Sequence, residues 1–143
     1  MEIRDMETQN TDKKKILIIQ GGGRPHGNTA QLVRSFAEGA EAAGHHTEIL
    51  SLMKQEVKGC LGCNACRYGK PCIQKDSFNE LVPKIKAADL LAFASPLYFW
   101  TISAKLKAFI ERFYRGSRRL SSGFTVLPKR IRPRQRGDMS GIR

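Results

Sequence analysis

Lys15-Ile16-Leu17-Ile18-Ile19-Gln20-Gly21-Gly22-Gly23-Arg24-Pro25-His26-Gly27-Asn28-Thr29 decides how this chain folds. Its first half is a short, β-branched apolar run bounded by charge and glycine, the pattern of a strand buried on both faces. Its second half is a glycine-rich loop. Asn28 then stands as an N-cap for a helix whose stripe is Leu32, Val33, Phe36, Ala37 and Ala40, with Gly44 placed to stop it. A second strand is expected over Thr47–Leu52. The whole reads as a β-loop-α-β unit between parallel strands.

Further along, Val57–Cys72 is a loop that holds every cysteine. Asp76 is the expected cap of a helix through Leu81 and Ile85, and Pro83 should kink or break it. Asp89–Ala94 reads as a third buried strand, ended by Ser95-Pro96. Thr101–Phe113 carries Leu106, Phe109, Ile110 and Phe113 on one face and forms a third amphipathic helix. Alternating strands and helices predict a three-layer α/β fold on a parallel sheet, with ligands beyond the carboxyl ends of the strands.

Outside this core the chain is basic. Its 143 residues carry a formal charge of +12, and 41% of them are hydrophobic. Residues 116–143 hold eight Lys/Arg against Asp138, a net +7, which leaves +5 for the first 115. That stretch lacks periodicity beyond Phe124–Leu127 and reads as a disordered basic tail; residues 1–12 read as a loose leader. The longest apolar stretch, Leu90–Trp100, is interrupted by Ser95 and Pro96 and is too short to span a membrane. Four cysteines are too few for a disulfide-built miniprotein, so a reducing cytoplasm is expected, with the thiols free or bound to metal.

The glycine loop offers free backbone N–H groups, a helix dipole and little side-chain bulk, the requirements of an anion site. It is not a dinucleotide fingerprint, because the third glycine position falls on His26. It is not a Walker A loop either, because Asn28 stands at the lysine position. A monophosphate fits better than a triphosphate. A flexible surface turn is the plain alternative.

The cysteines follow Cys60-x2-Cys63-x2-Cys66-x5-Cys72, with Gly59, Gly62 and Gly69 between or beside them. Thiolates this close can wrap a [4Fe–4S] cluster. Zinc and unligated thiols are the other readings. Arg67, Lys70 and Lys75 would favour thiolates, or simply make the loop solvated. His45 and His46 read as exposed turn residues, and His26 as a solvated side chain or an anion donor.

Gly21-x2-Arg24-x2-Gly27-Asn28-Thr29 follows the first strand, the cysteine series follows the second, and Ser95-Pro96-Leu97-Tyr98 follows the third. That last motif leads into Leu106-Lys107-Ala108-Phe109-Ile110-Glu111-Arg112. With these motifs, residues 13–114 resemble the NADPH-dependent FMN reductase and iron-sulfur flavoprotein families of flavodoxin-like fold. The resemblance implies an FMN enzyme that takes electrons from NAD(P)H and passes them to a quinone, a flavin or an iron-sulfur acceptor. It implies that Gly22, Arg24, Gly27, Asn28 and Thr29 hold the FMN phosphate. Pro96, Leu97, Tyr98, Phe99 and Trp100 would lie beside the flavin ring, and Cys60, Cys63, Cys66 and Cys72 would bind a [4Fe–4S] cluster. It also implies a homodimer.

The family usually has Ser-Pro at Gly22-Gly23 and often Asp at Glu111. No catalytic side chain emerges. The family's sheet has strand order 2-1-3-4-5, and residues 116–143 offer no counterpart for strands 4 and 5. The expected architecture is therefore a partial flavodoxin-like domain over residues 13–115 with a C-terminal truncation. On that reading the third strand is an exposed edge. An inactive fragment of such an enzyme and a basic-tail nucleic-acid module are the alternatives. The second is the weaker, since no nucleic-acid module is recognisable.

Overall fold

A computed structural model describes residues 13–66 and 70–113. The readings of residues 1–12 as a leader and 116–143 as a tail, and the one involving Arg67, lie outside the described residues. Three strands form one parallel sheet in the order β2-β1-β3: β1 is Lys15–Gln20, β2 is His46–Ser51 and β3 is Leu90–Ala94. This is the α/β arrangement of a flavodoxin-like fold, with β1 central.

Alternation along β1 builds two cores. Ile16 and Ile18 face helix α1 (Asn28–Ala42) with Val33 and Ala37. Leu17 and Ile19 face the other side with Leu50, Leu52, Phe78, Leu81, Leu106 and Phe109. Helices α2 (Phe78–Ala87) and α3 (Ala104–Glu111) supply that second core. Phe78, Phe109 and Phe113 meet edge-to-face there, with centroids 5.3–6.1 Å apart. Such pairs add about 0.5–1.5 kcal/mol beyond their buried area.

Several expectations shift. Gly27, not Asn28, is the N-cap of α1, with extended backbone (φ −73°, ψ 168°) and no side-chain capping bond. Asn28 is the first helical residue, so its carboxamide is not spent on the helix end. The α1 core stripe is narrower than expected: Ala30, Val33 and Ala37 are buried, while Leu32 is 63% exposed and Phe36 is also exposed. Alanines at the contact make a narrow packing stripe, and the larger residues fall outside it.

The C-terminus of α1 is as expected. Gly44 has φ +87°, its N–H donates to Glu41 O (2.9 Å), and the His45 N–H donates to Ala40 O (3.0 Å). Both bonds belong to a Schellman motif, where a left-handed residue favours glycine. His45 Nδ1 accepts the Lys14 N–H (3.4 Å), and His46 starts β2 instead of lying in the turn.

Pro83 neither breaks α2 nor opens a second helix; the segment runs on to Ala87. Proline at this position removes one ladder bond, and Phe78 and Leu81 in the turn before it remain buried. Ser77 is the residue preceding α2, while Asp76 Oδ1 accepts the Phe78 N–H (3.2 Å) and its carboxylate serves a second purpose described below. Helix α3 starts three residues later than expected, at Ala104, because Ser103 caps it: the Ser103 hydroxyl accepts the Leu106 N–H (3.3 Å). Along the edge of β3, Leu91–Ala94 are half-buried and Leu90 is exposed.

Candidate functional site

Parallel strands send their following loops to the same side of the sheet, so the three loops leaving β1, β2 and β3 should meet. They do. The Gly21 N–H donates to Ala94 O at the end of β3 (2.8 Å). A Cβ on Gly21 would lie 2.7 Å from Ser103 Oγ and 2.8 Å from Leu106 Cβ, so only glycine fits there. A Cβ on Gly22 would touch Pro96 Cδ on one side and Thr29 Cβ on the other, both at 3.4 Å. Gly23 lies against Met53, just past β2. The start of α1 and the loop after β3 therefore flank a common cleft floored by Gly22.

The helix end in this cleft is open to an anion. The Gln31 N–H donates to Gly27 O (3.0 Å), and the amides ahead of it belong to the unsatisfied first turn of the helix. The first turn carries no acidic residue to compete. Thr29 is half-buried beside Gly22, whereas Arg24 and Asn28 are exposed at the rim. Two side chains not singled out in the sequence hold the loop: Gln31 Nε2 donates to His26 O (3.3 Å) and Arg34 Nη1 to Pro25 O (3.2 Å).

The loop after β3 is a small hairpin. Tyr98 and Thr101 exchange both backbone bonds (2.9 and 3.0 Å), with Phe99 (φ +44°) and Trp100 (φ +68°) at the turn. A two-residue turn with both centres left-handed normally carries Asn or Gly. Here two aromatics take it, 96% and 89% exposed. Strain of this kind, on the order of 1–3 kcal/mol per residue, clusters at ligand sites. Ser95 anchors the base: its hydroxyl donates to Pro96 O (2.8 Å) and accepts the Ser103 N–H (2.8 Å). All ten residues named for FMN thus sit in two adjoining segments, with Pro96 in the cleft and Leu97 to Trp100 projecting from it.

The cysteine loop, which follows β2 and a short 3-10 turn at Leu52–Lys54, is tied at its base by a buried ion pair. Arg112 Nη1 donates to Asp76 Oδ2 (2.6 Å) and to Lys58 O (2.9 Å), and Nη2 donates to Asp76 Oδ1 (3.2 Å). Both side chains are 1% exposed, and the guanidinium lies 4.7 Å from the Phe78 ring centroid. Burial alone would raise the Asp76 pKa. The Arg112 hydrogen bond, the Lys58 N–H, the Arg112 charge and the Phe78 N–H together hold it below the ordinary 3.8. Burial likewise opposes the Arg112 charge, but Asp76 and then the Cys72 thiol push its pKa up. The loop lysines Lys70 and Lys75 are exposed. Nothing local in the sequence marks the Arg112–Asp76 pair, since Arg112 lies 36 positions beyond Asp76.

All four cysteines are free. Cys63 is exposed and the other three are half-buried. The Gly62 N–H donates to Cys60 Sγ (3.4 Å). Four thiols in one loop, one of them already accepting an N–H, suit a thiolate-bound metal or cluster. Among the described residues, however, no three His, Cys, Asp or Glu side chains are gathered to hold a metal ion. By its chemistry the donor set fits such a group. No helix among the described residues is long and apolar enough to cross a membrane.

The family model described as NADPH-dependent FMN reductase matches residues 14–129, so the match runs past the boundary expected at 115. An iron-sulfur flavoprotein of Methanocaldococcus jannaschii is 38% identical over 115 residues, covering 80% of this chain and 58% of the relative. Another, from Archaeoglobus fulgidus, is 36% identical over 98 residues, covering 68% of this chain and 48% of the relative. The chain thus spans about half the length of these relatives. A solved NAD(P)H:quinone oxidoreductase from Methanothermobacter marburgensis shares the fold, with TM-score 0.61 at 24% identity over 72% of this chain and 54% of that one.

Proposed function

The chain belongs to the NADPH-dependent FMN reductase family, and from that premise we propose that it binds FMN across the carboxyl edge of its sheet and acts as an NAD(P)H oxidoreductase. The observation that carries this reading is the position of Gly22, in contact range of both Thr29 at the start of α1 and Pro96 after β3. One ligand can then meet a helix N-terminus with its anion and the hairpin with its ring.

In this reading the backbone N–H groups of Asn28 and Thr29 and the Thr29 hydroxyl take the phosphate, while the Gly27 N–H holds the turn by donating to Arg24 O (3.2 Å), and Arg24 and Asn28 close over the phosphate from the rim. Gly22, where the family usually has serine, leaves that donation to Thr29 and the backbone. Pro96 and Leu97 flank the ring, and Tyr98, Phe99 and Trp100 cover it from water, which accounts for apolar rings held outward in a strained turn. Bound FMN supplies hydride acceptance and onward electron transfer. The electron acceptors we assign are a quinone, a flavin or, one electron at a time, a [4Fe–4S] cluster held by Cys60, Cys63, Cys66 and Cys72. Free thiols of this kind belong in a reducing compartment, the cytoplasm, and the exposed hairpin favours a homodimer.

The test is anaerobic: the full chain is loaded with FMN and given NADPH, then NADH. Loss of the flavin's visible absorbance is the expected result. Saturable FMN binding with no bleaching by either nicotinamide would overturn the oxidoreductase assignment.

A further inference from the structure

The four cysteines are not held alike. Cys72 is fixed from α2: its N–H donates to Asn79 Oδ1 (3.2 Å), and Asn79 Nδ2 donates back to Cys72 O (2.9 Å) and to Gln74 O (3.1 Å). Cys60 is fixed from α3: its N–H donates to Glu111 Oε2 (3.3 Å). The two ends are also tied to each other, because Gln74 Nε2 donates to Gly59 O (2.9 Å) and the Lys58 N–H donates to Asp76 Oδ2 (3.0 Å). Gly59 lies close beside the Glu111 carboxylate, with a Cβ there falling 2.9 Å from Oε2. Cys63, by contrast, is exposed, and Asn64 beside it takes a left-handed φ of +57°. None of the bonds just described reaches Cys63 or Cys66.

We infer that Asn79 and Glu111 are positioning residues for the thiolate-bound centre: they hold Cys60 and Cys72 as two fixed posts, and Cys63 and Cys66 would supply the other two thiolates. This rests on the cluster assignment above and adds to it a division of labour among the ligands. The physical reason is preorganisation. A loop whose outer ligands are already placed loses less freedom on closing than one with four loose ligands. Outer partners of this type typically change metal affinity by about 10–100-fold when removed.

The experiment uses the full chain, reconstituted without oxygen from ferrous iron and sulfide, then challenged with a chelator. Asn79→Ala and Glu111→Ala are compared with wild type. Iron and acid-labile sulfide are read chemically and the cluster by its visible absorbance, while FMN content and Tm are followed in parallel. Iron loss to the chelator about tenfold faster or more in both variants, with FMN content and Tm at wild-type levels, is the expected outcome. Iron held as firmly as in wild type by both variants would sink the positioning role and leave the cluster assignment standing. A wild type that binds FMN and takes up no iron would sink the cluster assignment, and the posts with it. If Asn79→Ala loses FMN and melts low, Asn79 is a structural residue and the proposal is wrong for it. Glu111→Ala then decides the Cys60 post separately.

Discussion

The loop after β1 and the loop after β2 leave the same edge of the sheet and are built by opposite means. The first is made of backbone: Gly21, which fits where a Cβ does not, a helix end with its first amides free, and short ties from Gln31 and Arg34 in the helix it leads into. The second is made of side chains: Arg112 reaches Asp76, Glu111 reaches Cys60 and Asn79 holds Cys72. A backbone-built site needs fewer tertiary ties, here those of Gly21 to Ala94, Ser103 and Leu106. A side-chain-built site exists only when α2 and α3 are docked, so the cysteine loop depends on the second core and the phosphate loop much less.

The largest expected effect breaks that dependence. Arg112→Ala leaves Asp76 buried and unpaired, which costs about 3–5 kcal/mol. Chemical denaturation should show a stability loss of that size. Proteolysis should cut first in the cysteine loop.

Acid probes the same pair more gently. Asp76 has its pKa lowered in the folded chain, so its contribution is present above the ordinary aspartate value of 3.8 and is lost as pH falls below it. The wild type should lose stability on that acid limb. Asp76→Asn should start lower and show a flatter limb, as measured by Tm against pH.

On the backbone-built side, Gly21→Ala forces a methyl group against Ser103 and Leu106. Overpacking of this kind costs about 1–3 kcal/mol, and denaturant midpoints check it. The loss should appear together with weaker FMN binding, because Gly21 also bonds to the end of β3. The smallest effect is a gain. Trp100→Gly relieves a left-handed φ at an exposed position, and stability should rise by up to about 1 kcal/mol. A fall in Tm would show that the indole makes contacts that stabilise the folded chain.

The contrast also explains what was legible in the sequence. The strand Lys15–Gln20, the glycine loop and the helix stop at Gly44 are specified by neighbours in the chain, and they could be read there. The docking of Arg112 against Asp76 could not, because 36 residues separate them and each looks like an ordinary surface charge. Leu32 and Phe36 fit the helical period as well as Val33 and Ala37 do; only the sheet's position decides which pair is buried. The aromatic turn at Phe99–Trp100 contradicts local turn chemistry outright, and strained segments of that kind are where sequence rules fail at binding sites. Ser103 falls inside the stretch expected to be helical; its roles as the cap of α3 and as the partner of Ser95 across the hairpin base come from the structure.

The convergence of the Thr29 and Pro96 segments has a built-in reporter, since Trp100 is the chain's single tryptophan. FMN titrated into the full chain should quench Trp100 emission saturably. Thr29→Ala should weaken the apparent affinity about 10–100-fold, the loss of a hydrogen bond to a charged group, and riboflavin, which lacks the phosphate, should bind far more weakly. Trp100 emission that ignores FMN, or that responds equally to FMN and riboflavin, would contradict a phosphate held at the start of α1 with its ring beneath the hairpin.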